Sequence, residues 1–408
     1  MGQVDIHGRI QAALTRRDWL ALACCGGIAR AAAVPTPPLA WSDERGVAWS
    51  VSLPGPGSSS PALWQDAVFV ASEGDHPTLS AYDAQTGALR WSQPHRASEP
   101  KRVAGFTPTP LVEAGRVFAL FESGEAAGYS LDGRLFWKRQ LQDDLGGFTG
   151  IGRTAASLRR TRDCVLVSVA QKERSYLLGL DPGTGATDWK AERVSEQDCA
   201  STPVVTTAWG RETIILTGPG VLEGRSALDG QLIWSRSGLE PEPPAAPVFA
   251  LHPRSGEPLV LTGSAAFRIF PPGRDPELLW KAEHARPHRA APLLFDGLVY
   301  VIDSSGVLFT LELATGRELW SAALRGEFWA TPIASAGRIY CFSRDGWTGV
   351  FAAARSATRL AANELGEVSG ICGVAASDDA FYFRASDRLV RLSAPPPAPP
   401  KYQWGLKR

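Results

Sequence analysis

A tryptophan recurs through this chain at Trp49, Trp91, Trp137, Trp189, Trp234, Trp280 and Trp320, at successive spacings of 42, 46, 52, 45, 46 and 40 residues. That is the period of a four-stranded propeller blade rather than of a helical solenoid. Glycine stands four residues ahead of five of them, as Gly87, Gly133, Gly185, Gly230 and Gly316, in turns reading Thr-Gly or Asp-Gly. In such a turn glycine supplies the positive φ that lets a hairpin reverse without a Cβ clash. Trp280 follows a degenerate turn with Pro276 in the glycine place, and Trp49 comes three residues after Gly46.

The clearest copy of the unit is 291–324, four short runs of β-branched, aromatic and leucine residues cut by Asp296-Gly297, Ser304-Ser305-Gly306 and Ala314-Thr315-Gly316. Runs of this kind between turn residues read as strands joined by hairpins. A second marker keeps step with the first, a small residue before proline: Ser60-Pro61, Thr109-Pro110, Thr202-Pro203, Ala246-Pro247, Ala291-Pro292 and Thr331-Pro332. Thr154-Ala155 and Gly373-Val374 occupy its degenerate places, which brings the count to eight.

The expected fold is all-β, an eight-bladed β-propeller of four-stranded antiparallel blades. Seven blades read as 60–94, 109–141, 154–192, 202–237, 246–283, 291–324 and 331–365. The third is the longest, with 159–163 and 171–175 as polar hairpin tips. The seventh lacks its tryptophan and should be the weakest sheet. Residues 39–53 carry Trp41 and Trp49 but no three strands before them, whereas 371–377, 380–384 and 389–393 give three strands and no terminal tryptophan. Joined, the two pieces make the eighth blade, and the N-terminal strand fastens the ring to the C-terminal blade. The tryptophans Trp49, Trp91, Trp137, Trp189, Trp234, Trp280 and Trp320 are expected to dock each blade on its neighbour.

The 42 basic and 42 acidic residues cancel. A neutral chain argues against a dedicated nucleic-acid binder, whose affinity comes from neutralising phosphates. No run of 18 apolar residues is present, so no membrane span is expected, and the propeller should be a monomer. The N-terminus reads as an address. Thr15-Arg16-Arg17-Asp18-Trp19-Leu20 resembles a twin-arginine export signal, and Ala31-Ala32-Ala33 suits cleavage before Val34. The domains are then 1–33 signal peptide, 34–394 propeller and 395–408 proline-rich tail, with a periplasmic or secreted location. Acylation at Cys24 is the alternative. Because folded protein takes this route, Cys164, Cys199, Cys341 and Cys372 read as buried thiols. Cys164 with Cys199, or Cys341 with Cys372, are the local pairs should a bond form.

The stretches Ala-Tyr-Asp-Ala-Gln-Thr-Gly-Ala-Leu-Arg-Trp (81–91), Gly-Leu-Asp-Pro-Gly-Thr-Gly-Ala-Thr-Asp-Trp (179–189) and Leu-Ala-Thr-Gly-Arg-Glu-Leu-Trp (313–320) resemble the pyrroloquinoline-quinone-like propeller repeat. The resemblance implies the eight-bladed propeller shared by quinoprotein alcohol dehydrogenases and the outer-membrane assembly factor BamB. The enzymes of that family carry a vicinal Cys-Cys pair over the quinone, a calcium site of Glu, Asn and Asp, and a catalytic Asp. Here the vicinal pair is Cys24-Cys25, inside the export signal, and Asn363 is the sole asparagine. The resemblance is therefore nearer to BamB, and implies a scaffold binding a protein or cell-envelope component without catalytic residues, metal or cofactor. A quinone-dependent oxidoreductase is the alternative.

The segments from each tryptophan strand to the next small-Pro marker run between blades on one face. They carry the candidate partner-binding residues His95, Arg96, Lys101, Arg102, Phe148, Arg153, Arg286, His288, Arg289, Arg325, Glu327 and Trp329. Charge there is divided, basic around Lys101 and Arg289 and acidic at Glu192, Glu240, Glu364 and Glu367. Divided charge suits a protein partner or a small polar ligand better than a polyanion.

Overall fold

The computed structural model describes residues 36–73, 76–95, 107–145, 156–169, 175–193, 201–239, 245–287 and 289–394. Their strands form eight four-stranded sheets, seven of them built from strands in sequence order. Blade 6 shows the plan: Leu293–Phe295, Leu298–Ile302, Val307–Glu312 and Glu318–Ala323, each antiparallel to the next. The first strand of every blade is innermost. Ala62–Trp64 of blade 1, for example, lies beside Leu111–Glu113 of blade 2 and Val374–Ala376 of blade 8. The second strands are covered on both faces, which is why Val165–Val169 is apolar and buried almost without alternation. Apart from strands, the described residues hold one short helix, Leu141–Leu145.

The repeated motif explains how blades join. Trp137, at the rim of blade 2, lies flat on the turn of blade 3, and its Nε1 donates to Pro182 O at 3.1 Å. A Cβ on Gly185 would sit 2.5 Å from that indole. Glycine thus does two things at once, taking φ of +73° and leaving room for its neighbour's ring. The same seat holds Trp49 on Gly87, Trp91 on Gly133, Trp189 on Gly230 and Trp280 on Gly316. Trp320 Nε1 donates to Ala354 O of blade 7 at 3.0 Å. Trp234, whose seat lacks the glycine, is buried with Val260, Phe267 and Ile269 of blade 5.

A one-residue bulge precedes each docking position. The ladder to the outermost strand shifts between Ala81 and Tyr82, Gly128 and Tyr129, Gly179 and Leu180, and at the matching place in every other blade. Bulges twist an edge strand away from flat pairing, so eight exposed rims are blunted against joining another sheet.

The eighth blade is assembled from both ends of the chain. Val47–Ser52 pairs antiparallel with Arg388–Ser393, Trp49 opposite Arg391 and Ser52 opposite Arg388. Two further ties strengthen this join. Arg384, 1 % exposed, donates to Ala71 O at 2.5 Å and also to Gly55 O and Ser386 O. Asn363 accepts from Trp41 N and donates to Leu39 O, both at 3.1 Å, while Asp43 accepts from Gly366 N at 3.0 Å. Trp41 is held against Tyr340, Phe342 and Phe381, with ring centroids 6.4, 5.9 and 6.2 Å away. It fills the seam between blades 7 and 8, beside the blade that has no rim tryptophan.

Two details of the sequence reading change. Arg159–Arg160 is the inner strand of blade 3, paired with Leu166 and Val165, rather than a hairpin tip. Its double charge imitates a turn. The small residue ahead of that strand is Ser157, whose Oγ accepts from Thr109 N at 3.0 Å just as Thr109 Oγ1 accepts from Ser60 N at 3.1 Å. By the same spacing Cys372 holds that place before Val374 in blade 8, where the sequence pointed to Gly373. Thr154-Ala155 lies outside the described residues.

Candidate partner-binding face

Chain direction alternates within a blade, so the links from rim strand to next inner strand emerge on the same side as the turns between second and third strands. On that side, between blades 6 and 8, the residues form one connected patch. Glu327 accepts from Trp329 Nε1 at 2.6 Å and from Arg344 Nη1 at 3.0 Å. Two guanidiniums lie over the Trp329 ring, Arg289 at 4.3 Å and Arg344 at 3.9 Å from the centroid. The indole N–H and the Arg344 guanidinium hold the Glu327 carboxyl below its ordinary range. Backbone bonds fix the base of the patch: Arg344 N donates to Glu327 O, and Ile371 N to Arg344 O. Below it, Phe328 packs edge-on against Trp347.

Arg325 pairs with Glu364 at 2.9 Å, and Arg286 is exposed. Arg96, Lys101, Arg102, Phe148, Arg153 and His288 lie outside the described residues. Arg344 lies in a turn between second and third strands, outside the rim-to-centre links from which the sequence candidates come. Its turn, Ser343 to Gly346, opens on the same side, and strand alternation could have placed it there.

His95 departs from the expectation. It is 7 % exposed and lies between blades 1 and 2, with its ring tilted against that of Phe121 at 4.1 Å. Its Nδ1 meets Glu125 Oε1 at 2.7 Å and its Nε2 meets Tyr129 OH at 3.2 Å. It is a wedge rather than a surface contact. Burial depresses its pKa to about 4, although Glu125 pulls the other way. Glu73 shows the converse: burial raises its carboxyl to about 7, against the Glu122 backbone N–H and the Arg384 charge, which lower it, while the Glu122 carboxylate adds a smaller rise.

These two groups oppose each other on acidification. His95 contributes stability that is present above its ordinary 6.5 and is lost as pH falls toward 4. Glu73 contributes stability that is present below its ordinary 4.5 and is lost as pH rises through 7. Glu73→Gln should therefore stabilise the protein at pH 8 by about 2–3 kcal/mol and have little effect at pH 4.5. Thermal melts of both proteins across that range check this; parallel curves would contradict it.

The described residues do not suit a quinone held with calcium. Cys164, Cys341 and Cys372 are free and separated, and burial raises all three thiols. Cys199 lies outside the described residues. Asn363, the sole amide of its kind, is occupied by Leu39 and Trp41 backbone. Among the described residues no three His, Cys, Asp or Glu side chains gather as ligands.

Comparison with known proteins agrees with this architecture. The BamB of Moraxella catarrhalis superposes with a TM-score of 0.63 at 15 % identity, covering 85 % of this chain and 99 % of that one. A quinohemoprotein alcohol dehydrogenase from Comamonas testosteroni gives 0.65 at 11 % identity over 88 % of this chain and 78 % of that one. At such identities both establish the fold alone. In sequence, the chain is 28 % identical over 186 residues to the outer membrane protein assembly factor BamB of Alkalilimnicola ehrlichii, over 44 % of its own length. It spans 40 % of the length of that curated relative. Residues 39–176 and 273–391, more than half of the chain, match the family described as Outer membrane protein assembly factor BamB, and the protein belongs to that family.

Proposed function

We propose that the protein is an exported, non-catalytic scaffold that binds a protein partner in the cell envelope through the face bearing Arg286, Arg289, Arg325, Glu327 and Trp329. The observation that carries this reading is the Trp329 indole in contact with the Arg289 and Arg344 guanidiniums and tied to Glu327. Tryptophan and arginine dominate binding energy at interfaces, and an anchor already fixed in place loses little freedom on docking. The neighbouring Arg325–Glu364 pair adds both charge signs at the edge.

Family membership supports a place in the envelope, and the N-terminal sequence supports a route there. Residues 1–33 serve as the twin-arginine signal, with lipid attachment at Cys24 the alternative, 34–394 as the propeller and 395–408 as a tail. No helix among the described residues is long and apolar enough to cross a membrane. Affinity capture from envelope extracts tests the reading. Trp329→Ala should lose the captured partner by tenfold or more, consistent with a hot-spot loss above about 1.4 kcal/mol, while melting as the wild type does. Equal capture by both proteins would remove this face from the function. Pyrroloquinoline quinone added with calcium should leave no bound chromophore and no dye reduction with alcohols; either result would restore the oxidoreductase reading.

A further inference from the structure

In a repeat protein the sister blades show what the fold itself requires at each position. The inner strands open with Ala62-Leu63, Leu111-Val112, Val248-Phe249 or Leu293-Leu294, and the pair is apolar in every blade except the third. There it is Arg159-Arg160. The first residue of the pair packs toward the following blade, as Leu111 does against the core shared by blades 2 and 3, and Leu293 against that of blades 6 and 7. Arg159 follows the same direction. Its Nε donates to Pro203 O of blade 4 and its Nη1 to Leu158 O, both at 3.1 Å.

A guanidinium has five N–H donors, and among the described residues those on Nη2 and the second on Nη1 meet no protein acceptor. Among the described residues nothing acidic offsets the charge, and burial holds the Arg159 pKa below the ordinary value. Glu223, the carboxylate buried in the same seam, is already taken by Arg193 at 2.9 Å and Arg225 at 3.1 Å. Arg160 next door keeps a buried Nη1 with no hydrogen-bond partner. A cation partly withdrawn from water without a counter-charge is destabilising, and no sister blade carries one here. The fold does not ask for this charge, and a ligand would.

We propose that the inner end of the seam between blades 3 and 4 binds a small oxyanion, a carboxylate or phosphate group, on the free Nη edge of Arg159. That edge matches two oxygens of either group in parallel hydrogen bonds. Arg159 is partly exposed on an inner strand, and the inner strands stand side by side around the ring, so the anion reaches it from the axis.

Calorimetric titration of the full chain with sodium phosphate, and separately with citrate, at constant ionic strength in chloride, reads the site. Wild type should bind at least one of the two saturably; phosphate alone identifies a phosphate group, and citrate alone a carboxylate. Arg159→Leu, which installs the residue of blades 2 and 6, should weaken binding tenfold or more. It should also melt in chloride at or above the wild-type temperature. Absence of saturable binding to wild type, equal binding by the variant, or a clearly lower melting point of the variant in chloride would overturn the proposal. Trp329→Ala should leave anion binding unchanged, so failure at either site is told apart from failure at the other.

Discussion

A protein lacking residues 39–53 loses its cooperative melting transition. The deletion removes the rim strand Val47–Ser52 from its partner Arg388–Ser393 and leaves the second of those an open edge. It also empties two aromatic seats, Trp49 on the turn at Gly87 and Trp41 in the seam between blades 7 and 8. Removing a docked tryptophan costs about 3–5 kcal/mol. Two such losses consume most of the roughly 5–15 kcal/mol by which a domain is stable. Asn363 then loses both backbone groups it holds, Gly366 N loses the Asp43 carboxylate, and Arg384 loses Gly55 from its frame as the adjoining segment comes loose. Calorimetry or circular dichroism on the truncated protein checks the outcome; an unchanged transition would show that closure does not depend on the N-terminal strand.

The second large effect belongs to the seat itself. Trp137→Ala should destabilise by about 3–5 kcal/mol, and Gly185→Ala should also be costly, because the new methyl would stand 2.5 Å from the indole. In the Trp137→Ala background the glycine change should cost only the strain of positive φ, about 1–2 kcal/mol. The cycle therefore predicts coupling above about 1 kcal/mol between residues in adjacent blades. Denaturant melts of the four proteins supply the numbers, and simple additivity would mean that Trp137 and Gly185 do not share a contact.

The propeller was legible because a repeat makes each blade evidence for the others. Trp320 and Gly316 point to one hairpin, and the same pair recurring from Gly87 onward points to a ring. What that pattern left unread is that glycine and tryptophan of one blade serve different neighbours, since a spacing of four along the chain says nothing about partners in the next sheet. Asn363 was noticed only as the lack of a calcium ligand; its work on Leu39 and Trp41 bridges more than 320 positions and leaves no local signature. Arg159-Arg160 was read as a tip because two charges outweigh a two-residue strand in any local pattern. Arg289, Glu327 and Trp329 lie together on the side that the strand alternation implies, whereas His95 is buried between blades. A histidine following a strand looks exposed until Phe121, Glu125 and Tyr129 arrive from the next blade.

The account stands on the two ends of the propeller sharing one sheet, and a cross-link reads that directly. Ser52 and Arg388 face each other across the join, and both are exposed. Opposite Cα atoms in an antiparallel pair, about 4.5–5.5 Å apart, lie within disulfide reach. Ser52→Cys with Arg388→Cys should close an intramolecular bond under mild oxidation of the folded protein, with the loss of two thiols and a higher melting temperature. Two thiols that stay reduced in the folded monomer would contradict the closure.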